Sequence, residues 1–434
     1  MTAHAILSPS AADRWATCPG SVYLSKDRVD ESSEYADEGT VAHFLASECL
    51  EQEVDAAHFK GQSILVPKSG GASWLEEGWE PGNAAAAFEV DDDMAEEVQK
   101  YLTYVRQVSV GAELFVERTY TIACVPDCFG TSDATVLHAD GELHVIDLKY
   151  GRGVEVSAVE NKQMMLYALG AIDAFALTHD IQTVRMTVHQ PRQNNVSEWS
   201  ISLEDLLTAG GRFKTAGEFA MQFHNGRVPV ADDFTPSESA CRFCPARGNC
   251  EALANFCLTT LADDFVDLDI ADKTLPVVVD AATERVGVLN NIQLGKLMQN
   301  IGLIEIWTKA VRAQVESELL LGRPVYGHKL VEGRKGKREW IDEKDVEETL
   351  KRMRMKKGEM YDFKVISPST AEKLFKTSPR RWDRVRDHIT QANGKPSVAP
   401  EADPRPALVI APLEDFDDLT QTPATDVIDV STLV

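Results

Sequence analysis

The feature that most constrains the fold is a pair of short alternating segments, Gly130 to Leu137 and Leu143 to Lys149, joined by His138-Ala139-Asp140-Gly141. Two strand-like runs separated by a Gly-containing turn predict a β-hairpin. In Leu143-His144-Val145-Ile146-Asp147-Leu148-Lys149, side chains alternate between faces. Asp147 and Lys149 therefore point the same way, and Ile146 and Leu148 enter a core. The hairpin brings Asp133, of Gly130-Thr131-Ser132-Asp133, close to Asp147. Two converging carboxylates repel unless a cation lies between them, and hard oxygen ligands suit Mg²⁺ or Mn²⁺.

Around this hairpin the order of elements is helix, strands, helix, strand. Two short N-terminal helices are expected: Ser10 to Thr17, announced by Ser8-Pro9, and Val41 to about Leu50, capped by Thr40. A Gly-rich stretch from about Gly61 to Ala87 reads as an irregular insertion before an amphipathic helix from about Asp93 to Val108. A first strand runs from Glu113 to Ile122, a helix from about Val159 to Leu177, and a further strand from Val184 to His189. This is the pattern of a small mixed sheet flanked by helices, α+β in class. Beyond about residue 260 comes a long helical pattern, Ala281 to Leu320. The segment Arg323 to Lys395 then holds 20 Lys plus Arg against 12 Asp plus Glu, and a tail from about Pro396 is rich in Pro, Asp and Thr. The expected division is 1–260, 261–395 and 396–434.

The formal net charge is −25, which argues against a polyanionic partner only on average. Exposed charges are screened over roughly 8 Å at physiological salt, so a local basic groove can still bind DNA. No run of about 18 apolar residues occurs and the N-terminus lacks a signal-peptide pattern, so a cytoplasmic protein away from membranes is expected.

Eight cysteines are too sparse for a disulfide scaffold, and clustered cysteines in a reducing compartment hold metal. Cys241-x2-Cys244-x5-Cys250 supplies three thiolates; a fourth ligand would close either a zinc site or an iron-sulfur cluster. Cys49, Cys124, Cys128 and Cys257 read as structural.

His43 in Gly39-Thr40-Val41-Ala42-His43, Gly-x-x-Asp at 130–133, Asp147-x-Lys149 and Gln163-x-x-x-Tyr167 occur in this order. Together they resemble the motifs of the RecB-like PD-(D/E)XK nucleases, including the CRISPR-adaptation nucleases. Val145-Ile146-Asp147-Leu148-Lys149-Tyr150-Gly151 is similar to their central motif. The resemblance implies a restriction-endonuclease-like core in which His43, Asp133, Asp147 and the Leu148 carbonyl bind the metal, Lys149 is catalytic, and Gln163 and Tyr167 support the site and DNA. Asp127, in the dipeptide Pro126-Asp127, is the alternative to Asp133, and Glu117 is a further candidate for the acidic rim. Leu7-Ser8-Pro9-Ser10, Trp15 and Cys18-Pro19-Gly20 resemble the N-terminal cysteine motif of the iron-sulfur branch. That likeness implies a 4Fe-4S cluster on Cys18, Cys241, Cys244 and Cys250.

The resemblance covers residues 1 to about 260, and the whole chain is similar to a phage and prophage family built on this nuclease. It implies a metal-dependent exonuclease or end-processing enzyme of phage DNA replication, recombination or repair. DNA is the expected partner, with a single-strand-binding or annealing protein, or a separate helicase, beside it; no ATP-binding P-loop is present. A catalytically silent DNA-binding or scaffolding subunit and a CRISPR-adaptation nuclease are the alternatives.

Overall fold

The computed structural model describes residues 5–26, 28, 34–67, 70–75, 85–263, 291–329, 351–352 and 379–384. A 3₁₀ turn, Pro9–Ala11, leads into α1 (Ala12–Thr17) and α2 (Ser21–Ser25), then the long α3 (Glu34–Glu51). A three-stranded antiparallel sheet follows, from β1 (Ser63–Pro67), β2 (Ser73–Trp74) and β3 (Ala85–Glu89), with β1 in the centre. After α4 (Asp92–Val108) come β4 (Glu113–Thr121), β5 (Phe129–Leu137), β6 (Glu142–Leu148), α5 (Lys162–Phe175), β7 (Thr183–Gln190) and β8 (Asn195–Ser202). The helices α6 (Leu203–His224), α7 (Glu238–Arg242), α8 (Glu251–Asp263) and α9 (Asn291–Leu320) complete the described elements of this unit.

The five strands β4 to β8 form one sheet in sequence order, antiparallel throughout except for the parallel pair β6–β7. A parallel pair needs a crossover, and α5 supplies it. The fold is therefore α+β, a mixed five-stranded sheet flanked by helices, as its pattern of elements predicts.

The β5–β6 hairpin turns at 138–141 as expected. Gly141 has φ 87°, and a Cβ there would lie 2.6 Å from the Asp180 carbonyl oxygen, so both the backbone and the close neighbour demand glycine. Strand β6 is buried on both faces, not on one. Leu143 and Val145 join a core with α1, α5 and α6, while Ile146 and Leu148 join a second core with α3, α4 and β1. Leu148 is fully buried, and truncating such a residue to Ala costs about 2–5 kcal/mol.

Helix starts follow side-chain caps where a polar residue can reach the first free N–H groups. Asp91 accepts from Met94 N at the start of α4, Asn161 from Met164 N at α5, and Ser202 from Asp205 N at α6. Thr40 is not a cap. Its hydroxyl donates to the Ala36 carbonyl within α3, which begins at Glu34 and carries His43 in its interior, not in its first turn. The apolar run Val41, Ala42, Leu45, Ala46, Cys49 and Leu50 lies on one helical stripe within the expected span, and the turns before it carry an ion pair from Glu38 to Arg192. The stretch expected to be irregular holds the three-stranded sheet, because Ile64 and Val66 alternate into the α3–α4 core. Trp74 stacks on Phe59 at 4.6 Å and donates to Glu48.

The chain divides into two compact units, Met1–Glu332 and Gly333–Val434. The first extends 72 residues past the division expected at 260, since α9 packs on the cysteine-bearing segment through Leu303 and Trp307. Residues 281–290 of the expected long helix, most of the basic segment and all of the tail lie outside the described residues. No helix among the described residues is long and apolar enough to cross a membrane.

Candidate active site and cysteine lobe

The odd-numbered face of β6 looks toward α5, and that alternation places the site. Val145 enters the α5-side core, and two residues on Asp147 meets Lys149 at the end of the same face. The Lys149 Nζ lies 2.9 Å from Asp147 Oδ2 and donates to Gln163 Oε1 at 3.2 Å. Gln163, in the first turn of α5, donates through Nε2 to Asp147 Oδ1 and to the Tyr167 hydroxyl, each at 3.2 Å. The four-residue spacing puts Gln163 and Tyr167 on one helical face.

From the other side, α3 brings His43 Nδ1 to 3.1 Å from Asp133 Oδ1. The second Asp133 oxygen accepts the Leu148 backbone N–H at 2.6 Å. The six residues singled out as a site thus meet in one cleft from β5, β6, α3 and α5. Asp127 does not join them: it stands exposed in the β4–β5 turn at φ 47°.

Glu117 does join. Its carboxylate lies within 4.8 Å of ligand atoms of both His43 and Asp133. In the β4–β5 register Val116 pairs with Ala134 and Arg118 with Ser132, so the position opposite Glu117 is Asp133. Glu117 is also held at φ 45°, in the left-handed region and in mid-strand. Sequence offered only its place on the first strand as a signal. The same wall includes Tyr101 of α4, which no motif flagged; its buried hydroxyl has no hydrogen-bond partner.

The electrostatics follow from crowding. Burial opposes a charge on His43, but Asp133, with Asp147 behind it, outweighs that and lifts its pKa to about 9. For Asp133, burial is overcome by His43, Lys149 and the Leu148 N–H, so its carboxyl is held below the usual range. Asp147 moves the other way, raised by its deeper burial and by Asp133 despite Lys149. Lys149 is held above its ordinary value because Asp147 and Asp133 outweigh desolvation. Partial desolvation at the mouth of the cleft and the neighbouring Asp133 push Glu117 up to about 7. Two carboxylates, an imidazole and a third carboxylate at the mouth form a hard donor set suited to a divalent cation.

The cysteine lobe joins the N-terminal helices to the segment that follows α6. Cys18, at the end of α1, faces Cys241, Cys244 and Cys250 across a small cavity also lined by Leu24, Phe234 and Leu253. Thr235 N donates to Cys18 Sγ at 3.4 Å and Leu253 N to Cys250 Sγ at 3.5 Å. Gly20 lets the two segments touch, since a Cβ there would stand 2.8 Å from the Phe234 ring. Burial raises the Cys18 and Cys250 thiols and pushes Cys241 up to about 12. The remaining cysteines lie apart from this cavity: Cys49 in the α3–α4 core, Cys124 and Cys128 at the α5–α6 core, Cys257 against α9.

A protein of this kind is an α+β scaffold with a charged cleft beside one end of its sheet and a four-cysteine lobe closing the N-terminal helices onto the chain beyond α6. The chain belongs to the family described as "Protein of unknown function (DUF2800)", whose model matches residues 4–406. Among solved structures, an alkaline exonuclease (LHK-Exo) from Laribacter hongkongensis matches over 49% of this chain and 91% of its own, at 11% identity and a TM-score of 0.22. A TM-score that low places no constraint on how the cleft is read.

Proposed function

We propose that the chain is a divalent-cation-dependent DNA nuclease of the PD-(D/E)XK type, acting as an exonuclease or end-processing enzyme in phage DNA replication, recombination or repair. The observation that carries the reading is the meeting of His43, Asp133, Asp147, Lys149, Gln163 and Tyr167 in one cleft. A scaffold has no need of converging charges that cost desolvation. In this reading His43, Asp133, Asp147 and the Leu148 carbonyl hold Mg²⁺ or Mn²⁺, which when bound polarises the scissile phosphate and lowers the pKa of a water. Lys149, steadied by Asp147 and Gln163, orients the attacking water and offsets the negative charge that develops on phosphate. Gln163 keeps Lys149 and Asp147 in register, and Tyr167 fixes Gln163 from the next turn of α5. The net positive segment Arg323 to Lys395 is a candidate for gripping DNA phosphates in an otherwise acidic chain.

The same reading gives Cys18, Cys241, Cys244 and Cys250 a 4Fe-4S cluster. A single zinc with Zn–S bonds of about 2.3 Å would draw its sulfurs to about 3.8 Å of one another. Among the described residues, no three cysteines bring their sulfurs within 4.8 Å. That spacing favours the larger group.

The test is to incubate anaerobically purified protein with end-labelled linear and circular DNA, with and without Mg²⁺ or Mn²⁺, beside Asp147→Ala and Cys18→Ser. Cation-dependent loss of label is expected, abolished by Asp147→Ala. A brown preparation absorbing near 400 nm is expected to lose iron with Cys18→Ser. Wild-type cleavage rates in Asp147→Ala, free of host nucleases, would refute the active site. One tight zinc and no iron would refute the cluster.

A further inference from the structure

We infer that Glu117 is a direct ligand of the divalent cation held by His43 and Asp133, and that the Tyr101 hydroxyl positions that ligand set by donating to one of its carboxylates. The inference rests on the metal-site reading above and adds two residues to it from elements, β4 and α4, that none of the motifs covers.

Three observations converge. His43, Glu117 and Asp133 present ligand atoms that all lie within 4.8 Å of one another, and they are the described residues that meet that spacing. Glu117 and Asp133 stand opposite each other on neighbouring antiparallel strands. Like charges directly across a ladder are destabilising, and a cation between them converts the repulsion into coordination. Tyr101 is 1% exposed, lines the same small cavity as His43, Glu117 and Asp133, and leaves its hydroxyl unpartnered. Buried hydroxyls are nearly always hydrogen-bonded, so an orphan facing a donor set marks where a further polar group belongs. A hydroxyl at that depth can donate to a carboxylate but adds no charge, which suits a positioning residue. Asp147 meets Lys149 and Gln163 on the α5 side of the cleft, which leaves the His43 side of Asp133 open to a further ligand from β4. Glu117 stands there.

Full-length protein, Glu117→Gln and Tyr101→Phe would be titrated with Mn²⁺ alone, without DNA, by calorimetry and by the loss of the free-ion electron paramagnetic resonance signal. Glu117→Gln is expected to weaken Mn²⁺ binding at least tenfold. Tyr101→Phe is expected to weaken it about ten- to a hundredfold, the range of an outer ligand partner. A melting curve without metal shows that each variant is folded, and the Mn²⁺ affinity separates the alternatives. A tyrosine that only fills space would leave affinity unchanged, and that result overturns the role given to its hydroxyl. Undiminished Mn²⁺ affinity in folded Glu117→Gln overturns the ligand assignment and leaves the nuclease reading standing. A wild-type protein that binds no Mn²⁺ overturns both, and cleavage of DNA in the presence of chelator would separately sink the cation-dependent reading.

Discussion

Replacing Lys149 with Met tests whether the cleft is organised by charge balance. The side chain of Asp147 is only 4% exposed, and the ammonium 2.9 Å away is its nearest compensation. Removing one partner of a buried pair typically costs about 3–5 kcal/mol, because the remaining charge is stranded. A second route sets a ceiling. The stranded carboxylate can take up a proton, and from an ordinary pKa of about 3.9 that costs about 4 kcal/mol at pH 7, or about 1.4 kcal/mol per pH unit. The folded Asp147 pKa, already raised in the wild type, then rises further, so the folded variant binds more protons than the wild type and the penalty grows as pH rises from about 4. Urea unfolding of the metal-free protein should show Lys149→Met destabilised by about 3–4 kcal/mol at pH 7 and by about 1.5 kcal/mol at pH 5. Adding Asp147→Asn should recover most of the loss, since an uncharged pair of similar size strands nothing. Mn²⁺ should stabilise the single variant more than the wild type, while its cleavage rate stays about a hundred- to a thousandfold lower. Equal stability of Lys149→Met and wild type at pH 7, or a loss that does not shrink toward pH 5, would refute the charge-balance argument.

His144 and His189 are buried, and burial lowers their pKa values to about 3 and about 4. Because the unfolded imidazoles titrate near 6.5, their stabilising contribution is complete above that pH and is lost as pH falls, at up to about 1.4 kcal/mol per pH unit for each. A urea midpoint that stays flat from pH 6.5 to 5 would contradict this. Gly130→Ala places a Cβ 2.9 Å from the Tyr167 ring and 3.0 Å from Pro9, so a loss of about 1–3 kcal/mol is expected, with slower turnover from a displaced Tyr167. Unchanged melting in that variant would show that the contact relaxes freely.

What was legible in the sequence was what local rules control. The hairpin at 138–141 follows from a glycine at a left-handed position, and the meeting of Asp147 with Lys149 follows from strand alternation. Gln163 and Tyr167 follow from helical spacing. The second face of β6 was not legible, because a strand buried on both sides carries no contrast between apolar and polar positions. Nor was the three-stranded sheet: its strands are short, and what stabilises them is packing on the flanking helices α3 and α4, which leaves no period of its own in the strands. The start of α3 was misplaced for a related reason. Thr40 carries a cap's side chain, but its hydroxyl bonds back to Ala36 inside the helix, and Glu38 of the added turns pairs with Arg192, far along the chain.

Glu117 and Tyr101 were the least legible of all, and the reason is general to sites built across a sheet edge. A motif records residues whose neighbours in sequence also serve the site, as Leu148 serves Asp133 through its backbone N–H. Glu117 reaches the cleft through strand register, with Arg118 beside it turned onto the rings of Phe115 and Phe175, away from the chemistry. Tyr101 reaches it because α4 packs on the same face as α3, among neighbours that are plain core residues. Neither placement leaves a local pattern, but each leaves a cost: a strained backbone at one residue, an unsatisfied hydroxyl at the other. Left-handed backbone at a non-glycine residue persists only where the surroundings enforce it, at roughly 1–3 kcal/mol. Both costs fall on one small cavity beside His43 and Asp133, so relieving either without changing Mn²⁺ affinity would mean that the cavity is a packing defect.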